Sequence, residues 1–219
     1  MKYSALVLIL IVGVVAPLNS MANEETSVDL ADTALLVIYI QAFYFAEGKL
    51  PLVEPIAASL KAQELITYFR TAGRPVIHIQ HLPSGIDAPD PTGIDVQYRI
   101  HPNVLPQKGE VVIGKHHANS FRDTDLLKTL RALGITKLVV CGMQTQMCVE
   151  AAVRAADDLG FDVSVVHDAC ATRDLAFDGV DIPAAQVHAA ALAAMKSSYA
   201  KVITTADMCR NTTEGHNND

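Results

Sequence analysis

The sequence predicts a three-layer α/β/α domain built on a mostly parallel sheet of about six strands. Two observations carry that prediction. Apolar runs of strand length alternate with segments of helical spacing from residue 33 to 205, with no internal repeat. The central runs, 34–40 and 137–141, are almost continuously apolar, as strands covered on both faces are.

The elements follow in order. Residues 34–40 read as the first strand. Residues 54–72 have helical spacing, with Ile56, Leu60, Leu65 and Phe69 forming one stripe, Pro55 near the start and Gly73 past the end. A second strand at 75–80 leads into 81–109, a stretch rich in Pro, Gly and Asp with no period of its own; a loop that long is usually functional. Residues 110–113 form a short strand, 123–133 a helix stopped by Gly134, and 137–141 the central strand. Helix 145–159 ends at Gly160, strand 162–166 follows, and 168–179 reads as a loop. Helix 182–195 carries Pro183 in its first turn, 201–204 is the last strand, and the end from 210 is polar.

Composition removes several function classes. The chain has 219 residues and 23.5 kDa, half of them hydrophobic and 19% charged, which excludes a wholly disordered polymer. Acidic residues outnumber basic ones by 24 to 17, so nothing favours a nucleic-acid partner; the absence of Trp removes a stacking platform for bases. Four cysteines are too few for a disulfide scaffold.

The N-terminus stands apart. Lys2 precedes an unbroken apolar run of 14 residues, 5–18, and Ser20-Met21-Ala22 supplies small residues for a peptidase. That is the layout of a secretory signal peptide, and the run falls short of the roughly 18 residues a membrane span needs. The expected organisation is a signal peptide at 1–22, a lead-in at 23–32, one domain at 33–205 and a polar tail at 206–219. The mature chain would be exported, periplasmic or secreted, with no membrane attachment after cleavage.

In a parallel sheet the ligand crevice lies at the carboxyl ends of the strands. That rule selects residues 39–45, 80–82, 115–121, 142–148 and 167–172. Cys148 lies about one turn into the helix after the central strand, where the helix dipole and unpaired N–H groups favour a thiolate and could hold an oxyanion. Position alone leaves a second role open, that of a small buried core residue. Lys115, at a strand end, is placed to lower a thiol pKa, or else is a solvated charge. His78 and His81 are three apart on a strand and point to opposite faces, and His116 and His117 diverge, so no metal site is expected.

Four stretches together resemble the isochorismatase-like cysteine hydrolase superfamily. They are 34–41 with Gly48-Lys49-Leu50, 112–115 with Asn119-Ser120-Phe121, the segment from Cys141-Gly142 through Cys148 to Ala152, and 165–172. The resemblance covers about 33–205. It implies a Rossmann-like fold and an Asp–Lys–Cys triad that hydrolyses small C–N or vinyl-ether bonds. Cys148 then falls on the nucleophile, Lys115 on the lysine, and the backbone N–H groups of Gln144 and Cys148 on the oxyanion hole, with a non-proline cis peptide expected at Met143–Gln144. The metal-binding Asp-x-His pattern of the nicotinamidases is missing, which implies a metal-free branch with no cofactor. Relatives commonly form homo-oligomers, and an alanine-rich helix at 184–194 would allow close packing.

One departure matters: the aspartate's place holds Tyr39. A carboxylate is ionised at neutral pH, whereas a phenol with a pKa near 10 stays protonated and cannot be the resting base. Gln146 also stands where close relatives show His. The expected function is therefore an exported cysteine hydrolase of a small amide, carbamoyl or related compound, with activity impaired or altered by Tyr39. The alternative is an inactive variant that keeps a small-molecule pocket. A third reading, an interaction module without pocket chemistry, sits poorly with the dense active-site segments. Around Cys148, Lys115 and Tyr39, the crevice rule nominates Gln41, Phe43, Tyr44, Phe45, His81, His116, Ser120, Gln146 and Thr172 as pocket residues.

Overall fold

The computed structural model describes residues 30–93 and 95–210. The signal peptide, most of the lead-in and the end of the tail expected from the sequence lie outside them. Within the described residues no helix is long and apolar enough to cross a membrane.

Six parallel strands form the sheet: β1 (Thr33–Ile38), β2 (Val76–His81), β3 (Val111–Lys115), β4 (Lys137–Met143), β5 (Asp162–Ala171) and a last one at Lys201–Ile203, β8 in chain order. Their spatial order is β3-β2-β1-β4-β5-β8, every pair parallel. The chain winds outward from β1 in one direction through β3, then returns to β4 and winds the other way. The reversal lies between β1 and β4, so the crevice opens at their carboxyl ends. All six residues of β1 are buried, the burial of a strand covered on both faces.

The helices are α1 (Pro55–Thr71), α2 (Leu126–Ala132), α3 (Glu150–Asp158), α4 (Ala184–Ser198) and α5 (Thr205–Cys209). Helix α1 corrects the expected stripe. Leu65 and Phe69 are buried, but Ile56 and Leu60 are 51% and 45% exposed. The buried face runs instead through Ala58, Ser59, Ala62, Leu65, Ile66 and Phe69, because small residues let α1 approach β5. Burying Phe69 fully contributes about 2–3 kcal/mol.

Other boundaries shift for local reasons. Asp123 has φ +54°, which no right-handed helix admits, so α2 begins only at Leu126. Pro183 lacks an N–H and caps α4 rather than entering it. The loop expected at 168–179 is mostly ordered strand. Strand β5 continues to Ala171, and Leu175–Phe177 (β6) pairs with Val180–Ile182 (β7) in an antiparallel hairpin whose turn, Asp178-Gly179, has positive φ at both residues. The long loop after β2 carries two 3₁₀ turns, Val96–Tyr98 and Pro102–Val104. The polar tail expected from 206 starts inside α5, which opens with a Thr204–Asp207 capping box and buries Met208.

Candidate active site

Three strand ends and one turn build the site. At the end of β1 the chain turns sharply at Tyr39, which has φ +52° and donates its N–H to Ile79 O at 2.9 Å. Strand β4 ends at the cis peptide Met143–Gln144, where the resemblance placed one. The helix expected at 145–159 does not begin as an α-helix. Residues Thr145–Val149 form a π-helical turn, and α3 follows from Glu150. Such wide turns recur at functional sites, and this one carries Cys148.

Lys115 is the last residue of β3 and only 1% exposed. Its Nζ donates to His117 O at 2.9 Å, to Ala118 O at 3.4 Å and to Cys148 Sγ at 3.2 Å. None of the three acceptors is a carboxylate. Burial lowers the Lys115 pKa, an effect that the neighbouring Cys148 opposes. Cys148 is itself buried, and all four cysteines are free thiols.

Tyr39 lies between these groups and the aromatic wall. Lys115 Nζ stands 5.2 Å from its ring centroid, and the rings of Tyr44 and His81 lie 4.5 and 4.8 Å away. Burial first, then Tyr44, raises its phenol far above the ordinary range. Tyr44 is pushed up to about 12, mainly by burial. A polar chain continues from it: Gln144 Nε2 donates to Tyr44 Oη at 3.3 Å, Gln146 Nε2 to Gln144 Oε1 at 3.2 Å, and Thr172 Oγ1 to Gln146 Oε1. Gln144, Gln146, Thr172 and Tyr44 thus meet around the Cys148 turn.

The remaining pocket candidates scatter. His81 joins the site, stacked on Tyr39 and in register with Lys115 on the adjoining strand. Its pKa falls to about 4 through burial and the Lys115 charge, so it is neutral at pH 7, and its buried Nδ1 has no partner. Gln41 is fully buried with its amide committed to structure, since Oε1 accepts from His81 N at 2.6 Å while Nε2 donates to His81 O and Tyr98 O. Phe43 packs on Tyr44 and Tyr98, whereas Phe45 stacks on His101 at 3.7 Å. His116 is half-exposed beside Asp87. Ser120 is fully buried, and its Oγ has no partner. His78 points elsewhere, to Glu110 at 3.0 Å.

Two contributors have weak sequence signals. Arg173, next to Thr172, has a buried Nε without a partner, and its charge lowers the pKa of Tyr44. His188 on α4 shares a hydrogen bond of 2.9 Å with Thr145, the first residue of the Cys148 turn. Neither has a motif; only the fold brings them here.

Comparison with known proteins gives a consistent result. Residues 33–207 match the isochorismatase domain. The chain is 45% identical over 177 residues to the isochorismatase family protein YddQ of Bacillus subtilis, covering 79% of this chain and 96% of that one. It is 38% identical over 144 residues to a streptothricin hydrolase of Streptomyces noursei, covering 65% of this chain and half of that enzyme. Among solved structures, an isochorismatase-type hydrolase from Oleispira antarctica superimposes with a TM-score of 0.76 at 45% identity, over 81% of this chain and 96% of that one.

Proposed function

This chain belongs to the isochorismatase family, and from that premise we propose that it is a cysteine hydrolase of a small amide or carbamoyl compound. The observation that carries the reading is the buried Lys115–Cys148 pair at 3.2 Å. A buried ammonium whose partners are two carbonyls and one sulfur is balanced best when that sulfur is a thiolate.

The chemistry runs on this chain's own groups. The Cys148 thiolate attacks the substrate carbonyl, and the backbone N–H groups of Gln144 and Cys148 hold the oxyanion. Tyr39 is unsuited to either proton transfer: it is protonated at rest, and its raised pKa makes it a weak acid. Lys115 has the opposite shift, so it is the better donor. It protonates the leaving nitrogen as the C–N bond breaks, which leaves a thioester and a neutral amine. Once the leaving amine has departed, the now neutral Lys115 Nζ takes a proton from the water that attacks the thioester, and C–S cleavage releases the carboxylic acid and restores the Cys148 thiolate–Lys115 ammonium pair. A maleamate amidohydrolase of Pseudomonas putida, 33% identical over 104 residues, supports this choice of bond. The Arg173 guanidinium, whose buried Nε has no partner, favours substrates that carry a carboxylate.

The test is a hydrolysis screen over small amides, carbamoyl compounds and isochorismate, with acyl-enzyme trapping followed by mass spectrometry. Turnover that Cys148→Ala abolishes, with an adduct on Cys148, is expected. No turnover and no adduct would favour the second reading, an inactive pocket protein, which the loss of a carboxylate at Tyr39 motivates. The N-terminal layout supports export, and N-terminal sequencing of the mature protein is expected to begin at Asn23.

A further inference from the structure

A groove of about 670 Å³ lies beside the Cys148 turn, at the carboxyl end of β5 between α1 and α4. It is large enough for a small organic ligand. Its walls are apolar: Val53, Ala57 and Leu60 from the α1 side, Ala184 and Ala185 from α4. Its charges are unbalanced. Glu54, Glu64 and Asp168 face it against one ammonium, Lys61, which pairs with Glu64 at 2.8 Å. Asp168 accepts from Thr205 N and Oγ1 through Oδ1 alone. Among the described residues, Glu54 and Asp168 therefore have no cation paired with them.

Two groove-lining residues also hold the Cys148 turn. Thr172 bonds Gln146, which bonds Gln144, and His188 bonds Thr145 at 2.9 Å. We propose that this groove is a second ligand site for a small amphipathic organic cation, an aryl or alkyl ammonium, and that its occupancy alters the Cys148 turn through Thr172–Gln146 and His188–Thr145. The apolar walls supply contact area, and the Glu54 and Asp168 carboxylates select the charge. Any ligand that shifts Thr172 or His188 changes the hydrogen bonds that fix the turn, so binding and thiol reactivity are linked. The site does not depend on the hydrolase reading, because the thiol can be measured whether or not substrate is turned over.

The experiment titrates the full chain with benzyltrimethylammonium, following binding by calorimetry and Cys148 reactivity by its rate of alkylation with iodoacetamide. Saturable binding is expected, weakened several-fold by raised salt, with at least a twofold change in alkylation rate at saturation. Leu60→Lys, which puts a cation on the exposed α1 wall, should remove both effects while leaving the unliganded alkylation rate unchanged. Ala57→Trp, which fills the groove, should do the same and guards against a folding defect in the first variant. No saturable binding, or equal binding to both variants, overturns the site. Binding without a change in alkylation overturns the link to the turn. An oligomer in light scattering that Leu60→Lys dissociates also overturns the proposal, because a second copy then covers the groove.

Discussion

Lys115 and Cys148 meet at 3.2 Å although β3, which ends at Lys115, and β4, which leads into the Cys148 turn, are separated in the sheet by β2 and β1. His81 at the end of β2 and Tyr39 just past the end of β1 stack with ring centroids 4.8 Å apart, and Lys115 Nζ lies 5.2 Å from the Tyr39 ring. The pair therefore sits in a lining with no carboxylate among its direct partners. Its electrostatics rest on the thiol and on two backbone carbonyls.

Lys115→Met should slow alkylation of Cys148. An ordinary thiol is only a few per cent thiolate at pH 7, so losing the ammonium should cost on the order of tenfold in rate. The melting temperature should hold or rise, because an ammonium buried without a carboxylate partner is removed. An unchanged alkylation rate would show that Lys115 does not activate the sulfur.

His81 should make the protein acid-sensitive. Its folded pKa of about 4 lies below the unfolded value near 6.5, so between those limits the unfolded chain binds more protons. The penalty is absent above pH 6.5, grows as pH falls, and is complete below about 4. Because the ring is partly solvated, about 1–2 kcal/mol is a fair discounted magnitude. Chemical denaturation of the native chain and of His81→Asn from pH 7.5 to 4.5 should show a steeper loss for the native chain. Parallel curves would contradict this. The other buried histidines shift the same way and cancel in the comparison.

Gly142→Ala should prevent folding or cost more than about 3 kcal/mol. Gly142 has φ +136°, and a Cβ there would collide with the backbone carbonyl of Ile38, its register partner on β1. That close approach of β1 and β4 sets Tyr39 against the Cys148 turn. A soluble variant with native-like melting would mean the backbone can relax here.

The fold was legible in the sequence because buried parallel strands announce themselves as apolar runs, and 34–40 and 137–141 both lie on the observed centre of the sheet. Helix α1 was misread where small residues do the packing: Ala58 and Ala62 carry little hydrophobic signal, while Ile56 and Leu60 carry much and face outward. The β6–β7 hairpin was missed although Asp178-Gly179 is a strong turn signal, because its three-residue strands are too short to show a period. At the site, Cys148, Lys115, Tyr39 and Gln144 stand at strand ends and could be placed by chain order. Gln41 could not be separated from a pocket residue, since only the folded loop reveals that its amide is spent on His81 and Tyr98. Arg173 and His188 were invisible because their roles come from tertiary placement alone.

The sharpest test concerns position 39. Tyr39→Asp places a proton acceptor ionised at pH 7 against Lys115 and Cys148, and a positioned general base contributes about 10²–10⁴-fold. Hydrolysis should rise by that order on any substrate the native chain turns over. The backbone should accept the change, because Tyr39 has φ +52°, a conformation several-fold enriched in Asp and Asn but not in Tyr. Loss of the ring contacts with Tyr44 and His81 will cost stability, and a Lys115 carboxylate pair will offset part of it. Three controls separate the causes. Tyr39→Asn has the same size and backbone preference without a proton acceptor, so it should show no comparable gain. Tyr39→Phe should leave the native rate nearly unchanged if Lys115 supplies the proton, and should abolish it if the phenol does. Cys148→Ala on the Tyr39→Asp background should erase the increase, as a covalent mechanism requires. If Tyr39→Asp folds, stays inactive across the panel and leaves Cys148 alkylation unchanged, the site no longer performs hydrolysis and the pocket-protein reading replaces it.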